Sequence, residues 1–568
     1  MLDIWRMRTA VALLVLPWLL ACDDAAMPAT TDAGAASEDA KIAADAAPGF
    51  PDAVPDAAVL PPWAGPGADP RVWRPRVIYL LIPDRFANGD PHNDDLGPPD
   101  CVDAASSSLF HGGDVAGLHA HLSYLEELGV GTVWVTPLHK QVPRRNGNCG
   151  YHGYWADLTV PAEPIEDVLE QRLGTPAELD ALLADFAAAD LRVLLDVVVN
   201  HPGRNARIVT QKPGWFHAAQ GCELLGPPEI YCPLNGLPDF ALEHAEVADH
   251  VTATTVAWLE RYAFDGVRVD TAKHVPLDYF AQHWMPSARA ARPYPFVVGE
   301  VFTDGAMAQF KRFFDAGFDS VFHFPLRRAL VNAVAKGGSL DEVASVVQDT
   351  VTALGLQRAL MISTFLDNHD VPRFMQEAGQ LADGERVRRY RLALAALFTL
   401  PGIPQLYYGD ELGMLGASPD NRRDMPAWAW QPATRAGARA DYLGDPGETF
   451  ALVRRLIALR SAHAALFEGY YREVWRPNGG KNLYAFYRAA THDRVLVVLW
   501  GGGAASGAIT MPFVTNGGIP PADRAAWPDG TVLHDALGLG APATLTVQNG
   551  KISASFPART AGIYFAAP

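Results

Sequence analysis

The sequence predicts an α/β protein: a (β/α)8 barrel with a small subdomain inserted after its third strand and a C-terminal antiparallel β-sandwich. Three observations carry that expectation. From Val77 onward, short apolar and β-branched runs alternate with amphipathic helical stretches, the pattern of parallel strands covered by helices. Between the third such run and the helix starting near Glu243 lie roughly forty residues, too many for an ordinary strand-to-helix connection. After about His463 the runs become short and alternating, separated by Gly, Pro and Asp, as in antiparallel sheets.

At the N-terminus, Arg6 and Arg8 precede an apolar run from Ala10 to Leu20. That run is short of the ~20 residues that span a bilayer, so residues 1–22 read as an export signal. Leu19-Leu20-Ala21-Cys22 resembles a bacterial lipobox, which implies cleavage before Cys22, a lipid on its thiol, and an exported chain, membrane-anchored or secreted. Residues 23–70 are almost wholly Ala, Asp, Pro, Gly and Thr and are expected to form a disordered tether. The 568 residues carry a net charge of −18 with 49% hydrophobic residues, enough for a large core and more than one domain. Lys and Arg do not cluster, which argues against nucleic acid or an anionic membrane surface and for a small or neutral partner.

The barrel is expected over 71–463, its strands at Val77–Pro83, Thr132–Leu138, Val193–Val199, Gly266–Asp270, Phe296–Val301, Asp319–Pro325, Met361–Asn368 and Ile403–Tyr408. One helix shows the logic. Thr175, Pro176 and Glu178 make a capping-box start, and Leu179, Leu182, Leu183 and Phe186 follow at helical spacing. The inserted subdomain is expected over 202–243 and the sandwich over 464–568, with strands at Leu483–Tyr487, Val495–Leu499, Ala543–Val547 and Gly562–Phe565. Besides Cys22 the chain holds Cys101, Cys149, Cys222 and Cys232. Four cysteines allow three pairings; the short spacing favours Cys222 with Cys232, leaving Cys101 with Cys149. None has the spacing of a zinc site. His119, His121 and His463 read as satisfied or solvated histidines.

In barrels of this kind, polar residues at the C-terminal ends of strands build the active site. Here those ends carry Asp196-Val-Val-Val-Asn200-His201, then Arg268, Asp270, Lys273 and His274, then Glu300, then Asp367-Asn368-His369-Asp370. Alternation puts Arg268 and Asp270 on one side of their strand, where the cation keeps the carboxylate ionised as a nucleophile requires. Asp270, Glu300 and Asp370 should converge at one mouth. Neighbouring like charges should keep one carboxyl protonated, and an acid paired with a nucleophile suits glycosidic-bond cleavage.

The segments DVVVNH, GVRVDTAKH, VVGEV and FLDNHD, in this order and spacing, resemble the α-amylase family of retaining α-glucoside hydrolases and transglycosylases over roughly Val77 to Pro568. The resemblance implies that Asp270 is the nucleophile, Glu300 the general acid/base, and Asp370 the carboxylate that binds sugar hydroxyls and helps stabilise the transition state. It implies that Arg268 orients Asp270, that His201 and His369 bond the sugar at the cleavage point, and that Lys273 and His274 lie on the acceptor side. Tyr154, with His152 close by, looks like the family's stacking platform, as suits the apolar face of a pyranose. Two calcium sites are implied. One would use Asn88, Asp90, Asn93, Asp94, Gly112 and Asp114, an oxygen-rich stretch with a Gly for its turn; an Asx-rich turn without metal is the alternative. The other would use Asn200, Asp239 and the carbonyl of His274. Gly402–Glu411 and Asp420–Pro426 match the family's last strand and following loop and read as architecture and loop support.

The Lys273-His274 pair, and a chain that stops after one β-sandwich, favour a monomeric endo-acting α-1,4-glucan hydrolase. The alternatives are an α-glucan transglycosylase, including a cyclodextrin-forming one, or a maltodextrin-specific glucosidase. From another class, a catalytically silent carbohydrate-binding protein is the alternative. No starch-binding module is evident.

Overall fold

The computed structural model describes residues 67–97, 100–144, 147–292, 294–418, 420–476, 482–491, 493–512 and 527–566. The expected signal segment and residues 23–66 of the expected tether lie outside these. The last tether residues, 67–70, are packed: Ala68 is buried and its N–H donates to Asp319 at 3.2 Å.

The barrel strands are β1 (Ile78–Leu81), β2 (Thr132–Val135), β3 (Arg192–Val198), β4 (Gly266–Asp270), β5 (Phe296–Gly299), β6 (Ser320–Val321), β7 (Ser363–Phe365) and β8 (Ile403–Tyr407). They pair in parallel in the order β6-β5-β4-β3-β2-β1-β8-β7. The ring closes through the bridge between Phe322 and Ser363, beside a 3.0 Å hydroxyl bond between Ser320 and Ser363. Each strand falls where the apolar runs predict it. Several stop short at the C-terminal end because the next residues leave the ladder. Glu300 and Asp367 turn into loops, and His323 accepts from the Leu326 N–H to cap the helix Phe324–Leu330. Val267 and Val269 are as buried as Arg268, since a parallel barrel is covered on both sides.

The helix Pro176–Ala188 carries the full capping box between Thr175 and Glu178 and buries Leu179, Leu182, Leu183 and Phe186. Residues 202–243 hold short helical pieces, among them Arg207–Gln211 and Pro228–Tyr231. Cys101 is bonded to Cys149 and Cys222 to Cys232, the favoured pairing.

The C-terminal strands are β9 (Tyr470–Trp475), β10 (Leu483–Ala490), β11 (Asp493–Trp500), β12 (Ile509–Pro512), β13 (Val532–Asp535), β14 (Thr544–Gln548), β15 (Lys551–Ala554) and β16 (Thr560–Ala566). They form one antiparallel ladder, β12-β15-β14-β13-β16-β11-β10-β9, curled so that β12 returns beside β9. Of these, β9, β12, β13 and β15 were not legible as strands; their polar or mixed residues give no clean apolar alternation. In β10 and β11, Tyr484, Phe486, Val495, Val497 and Leu499 join the barrel's core, while Leu483, Ala485, Tyr487, Leu496 and Val498 fill the sheet's own core. Period-two alternation thus fixes the sheet to the barrel with one set of side chains and closes its own interior with the other.

The two barrel ends are built differently. At the N-terminal ends of the strands, Trp73 stacks on Phe296 at 4.3 Å, and the buried Arg460 donates to the carbonyls of Arg74 and Gly402 at 2.7 and 2.6 Å. The polar residues of the sequence motifs gather at the opposite end.

Candidate active site

Pairing of β3 with β4 sets Asp196 beside Arg268 and Val198 beside Asp270. Arg268 is fully buried, and its Nη1 donates to both oxygens of Asp196 at 2.9 and 3.0 Å and to Asp270 at 2.7 Å. Its Nη2 lies 3.1 Å from Glu300 Oε2. Burial alone would lower this guanidinium's pKa, but Asp196, Glu300, Tyr154 and Asp270 outweigh it and raise it well above the usual range.

The carboxyls around it are driven apart. Burial pushes Asp196 up to about 7 against the pull of Arg268. Glu300 is pushed up to about 8, mainly by burial and further by the charges of Asp270 and Asp370, with Arg268 and the Thr271 N–H opposing. Thr271 donates to Glu300 Oε2 at 2.9 Å from a left-handed backbone, φ +45°, that turns the chain sharply after Asp270. Asp370 goes the other way: burial raises it, but His369, Arg422 and Arg268 outweigh burial and hold it below its ordinary value. Burial pushes His369 itself down to about 3, so near neutral pH the nearby charge is that of Arg422, whose Nη2 donates to Asp370 at 3.2 Å. One protonated and one ionised carboxyl in the same mouth is the division of labour that acid-assisted bond cleavage needs.

The Tyr154 ring lies parallel to that of His369, 5.2 Å between centroids, and its hydroxyl donates to Asp196 at 2.8 Å. His152 stacks behind it at 5.6 Å and accepts the Tyr154 N–H through Nδ1. Burial holds His152 and His201 below the ordinary histidine value, hence neutral near pH 7. His201 Nε2 is buried without a hydrogen-bond partner, and His369 Nε2 lies 3.1 Å from Asp370 without hydrogen-bond geometry. An unsatisfied buried nitrogen costs about 1–3 kcal/mol, so both rings are suited to take up hydroxyl groups. These groups line one cleft of about 540 Å³ with Lys273, His274, Trp155, Leu234, Asn235, Leu237, Phe302 and Arg422. The Lys273 N–H donates to the Glu300 carbonyl at 3.2 Å, and the His274 Nδ1–H to the Glu229 carbonyl at 2.7 Å.

Every candidate catalytic and sugar-binding residue thus falls in or directly against the cleft. Four contributors were missed. Asp196 stood in a quoted motif without a role, and Trp134, which donates to it at 3.1 Å, had no signal beyond a strand position. Arg422 was read as loop support; the contacts that bring it to Asp370 span 52 residues. Phe302 gave no period to read. His119, His121 and His463 are satisfied, by Asp185, the Gly117 carbonyl and Asp493.

The first cation set fits an oxygen-seeking ion in part. Asn93 Oδ1 is buried without a partner, and the Asn88 amide lies 3.0 Å from both Asp94 oxygens. A Cβ on Gly112 would meet Asn88 and Asp94 at 2.6 Å, so only glycine leaves room there. Burial, with Asp114, Asp95 and Asp90 nearby, raises Asp94, a repulsion that a cation would relieve. Asp114, also in the expected set, is the anchor of this turn. Its two oxygens accept from the N–H groups of Gly89, Asp90 and Gly117 and from Asn93, so its carboxylate shapes the turn. Asp90 Oδ1 takes the His92 N–H at 3.1 Å. In the second set, Phe240 donates its N–H to the Asn200 carbonyl, bringing Asp239 alongside, but Asp239 Oδ2 is already paired with His217 Nδ1 at 2.6 Å. The remaining amide, carboxylate and carbonyl oxygens suit calcium. Among the described residues the only compact His/Cys/Asp/Glu group is Cys222, Glu223 and Cys232, whose cysteines are consumed by their disulfide.

A barrel whose strand ends collect an acid, further carboxylates and an aromatic floor has the groups that glycosidic-bond cleavage needs. More narrowly, the sequence pattern described as "Alpha amylase, catalytic domain" matches residues 80–213 and 230–469, and the chain belongs to the α-amylase family. An α-amylase of Streptomyces lividans is 26% identical over 551 residues, covering 82% of this chain but only 57% of that protein. A cyclomaltodextrinase of a Bacillus species is 27% identical, covering 76% of this chain and 73% of that one. Among solved structures, an Anoxybacillus α-amylase superposes with a TM-score of 0.73 at 27% identity, covering 87% of this chain and 98% of that one. The α-amylase of Geobacillus thermoleovorans complexed with acarbose gives 0.71 at 25%, covering 87% and 99%. The protein is therefore an enzyme of the α-amylase family of glycoside hydrolases.

Proposed function

We propose that the protein is an exported endo-acting hydrolase of α-1,4-glucosidic bonds in starch, glycogen or maltodextrins, working with retention through a covalent glycosyl-enzyme. The observation that carries this is the pair of carboxyls on one guanidinium: Asp270 on Nη1 at 2.7 Å, and Glu300 beside Nη2, where burial pushes its pKa up to about 8. In this reading Asp270 Oδ attacks C1 while Glu300 gives its proton to the departing glycosidic oxygen; one C–O bond forms as the other breaks. Glu300, now a carboxylate, takes a proton from water, whose oxygen attacks C1 and releases Asp270. Asp370 takes the sugar's hydroxyls, His201 and His369 add their free ring nitrogens, and Tyr154 carries the apolar face of the ring. Lys273 and His274 serve the departing side. Calcium would be held by Asn200, Asp239 and the His274 carbonyl, and by Asn88, Asp90, Asn93, Asp94, Gly112 and Asp114, supplying cross-links between loops rather than chemistry.

Transfer to a second sugar instead of water is the alternative that Phe302 favours: half-exposed in the cleft two residues beyond Glu300 and packed on Phe324 at 4.2 Å, it offers an acceptor an apolar surface. The two disulfides and the lipobox-like start support export, to a bacterial membrane or the medium. The test is a product time course on starch with calcium present. Early mixed linear malto-oligosaccharides in the α-anomeric form, absent with Asp270→Asn, are expected; cyclic or elongated products would replace the hydrolase reading with the transferase one.

A further inference from the structure

Two buried carboxyls that the proposed mechanism does not use stand next to one another outside the cleft lining. Asp367, just past β7, and Asp410, in the turn after β8, are 1% and 2% exposed and lie within hydrogen-bond reach of each other. Asp367 Oδ2 accepts the Phe374 N–H at 2.6 Å. The chain that leaves the barrel at Asp367 is thus clipped where it returns, and His369 and Asp370 stand on the loop so closed. Asp367 Oδ1 is buried and takes no N–H or hydroxyl donor among the described residues. On Asp410, Oδ1 accepts from Arg373 Nη1 at 3.3 Å and Oδ2 from the Tyr407 N–H at 2.9 Å. Arg373 lies over the Tyr407 ring at 3.8 Å and donates through Nε to the Asn421 carbonyl at 3.2 Å. The Asn421 amide in turn donates to the carbonyls of His369 and Val371 at 3.0 and 2.8 Å, so one network holds the loop from its base to Asp370.

One guanidinium does not neutralise two buried carboxylates. The other cation near Asp367, Arg327 of the helix Phe324–Leu330, is paired with Glu377 at 3.3 Å. Tyr390 gives its hydroxyl to the Asp410 backbone carbonyl, Tyr407 gives its N–H to Asp410, and Glu411 accepts from Tyr79 and Tyr124, so none of them supplies Asp367 Oδ1 with a donor. A buried acceptor without a donor is costly, and adjacent buried carboxylates repel; one proton on the pair relieves both. We infer that Asp410 is a carboxylic acid that donates to Asp367, and that this acid–carboxylate bond is a positioning device fixing His369 and Asp370 for the sugar. The inference rests on the reading of those two residues as sugar-binding groups given above. Burial raises both carboxyls; the charge of Asp367 adds to it at Asp410, whereas Arg373 and the bonds from Phe374 and Asp410 oppose it at Asp367, which puts the proton on Asp410. Neither carboxyl touches the sugar, so both act through the loop.

The experiment compares the wild-type chain with Asp410→Asn and Asp410→Leu, by kcat/KM on soluble starch and by thermal melting from about pH 5 to about pH 9. Asparagine keeps a donor toward Asp367 and does not titrate; leucine keeps the volume and offers no donor. Asp410→Asn should therefore retain kcat/KM within about threefold, while the folded fraction of Asp410→Leu should lose about thirtyfold. Across this pH range Asp410 is ionised in the unfolded chain and protonated in the folded one, so rising pH favours unfolding. The wild-type Tm should fall with pH more steeply than that of Asp410→Asn. Equal slopes overturn the shared proton, and that comparison needs no leucine variant. An asparagine variant as impaired as the leucine one, or a folded leucine variant as active as wild type, overturns the positioning role. Wild-type enzyme that leaves starch intact overturns the α-glucan reading and the positioning role with it, while the slopes still decide on the proton.

Discussion

Two buried arginine settings occupy opposite ends of the barrel. At the mouth, Arg268 has carboxylates around it, Asp196, Asp270 and Glu300, which raise its pKa against burial. At the other end, Arg460 and Arg488 donate to carbonyls among the described residues: Arg460 to those of Arg74, Phe398, Gly402 and Leu466, Arg488 to those of Thr399 at 2.9 Å and Gly469 at 3.3 Å. Burial with no compensating carboxylate lowers both, Arg488 to about 9. The same side chain thus serves two ends differently. Where carboxyls surround it, it holds them in place and pulls against their burial; where carbonyls surround it, it satisfies strand and helix ends and joins the sheet to the barrel. The division follows the general rule that chemistry sits at the C-terminal ends of barrel strands and stability at the other.

That contrast can be tested from its strongest point downward. Asp270→Asn should cut kcat by about four orders of magnitude with no loss of thermal stability, measured by turnover and by thermal melting. Arg460→Leu should do the reverse. Leaving its buried carbonyls without a donor should cost about 3 kcal/mol, read as a lower Tm or denaturation midpoint, while kcat of the folded fraction stays within about twofold. Inactivation at unchanged Tm would break the comparison. For pH, Glu300 must be protonated to act as the acid and its carboxyl is pushed up to about 8. Activity should therefore fall tenfold per unit above that value, a basic limb in kcat/KM. A limb centred well below neutral would mean that burial does not hold this proton. Arg422→Met, which removes a cation from Asp370 but no group from the bond-breaking pair, should lower kcat/KM by about tenfold.

The same division governs what could be read from the chain. Arg268, Asp270, Glu300 and Asp370 were legible because period-two strands and polar strand ends are local patterns. Trp134 and Arg422 were not, because their roles exist only once strands and loops distant in sequence come together. Asp114 shows the converse: its residue type and spacing suggest a ligand, and nothing in the spacing reveals the backbone amides that its carboxylate also receives. The C-terminal sheet was half visible. β10 and β11, apolar on both faces, announced themselves, whereas β13 and β15, four residues each with a single buried position, did not.

The packing of Ala68 against Asp319 and of Trp73 on Phe296 also fixes a handle. Both partners stand at the strand starts, the end of the barrel away from Asp270 and Glu300. A bead, affinity tag or fused protein coupled ahead of Gly67 is joined to the enzyme from behind, and a polymer approaching the carboxylates meets the opposite side. Immobilisation through that end should preserve turnover.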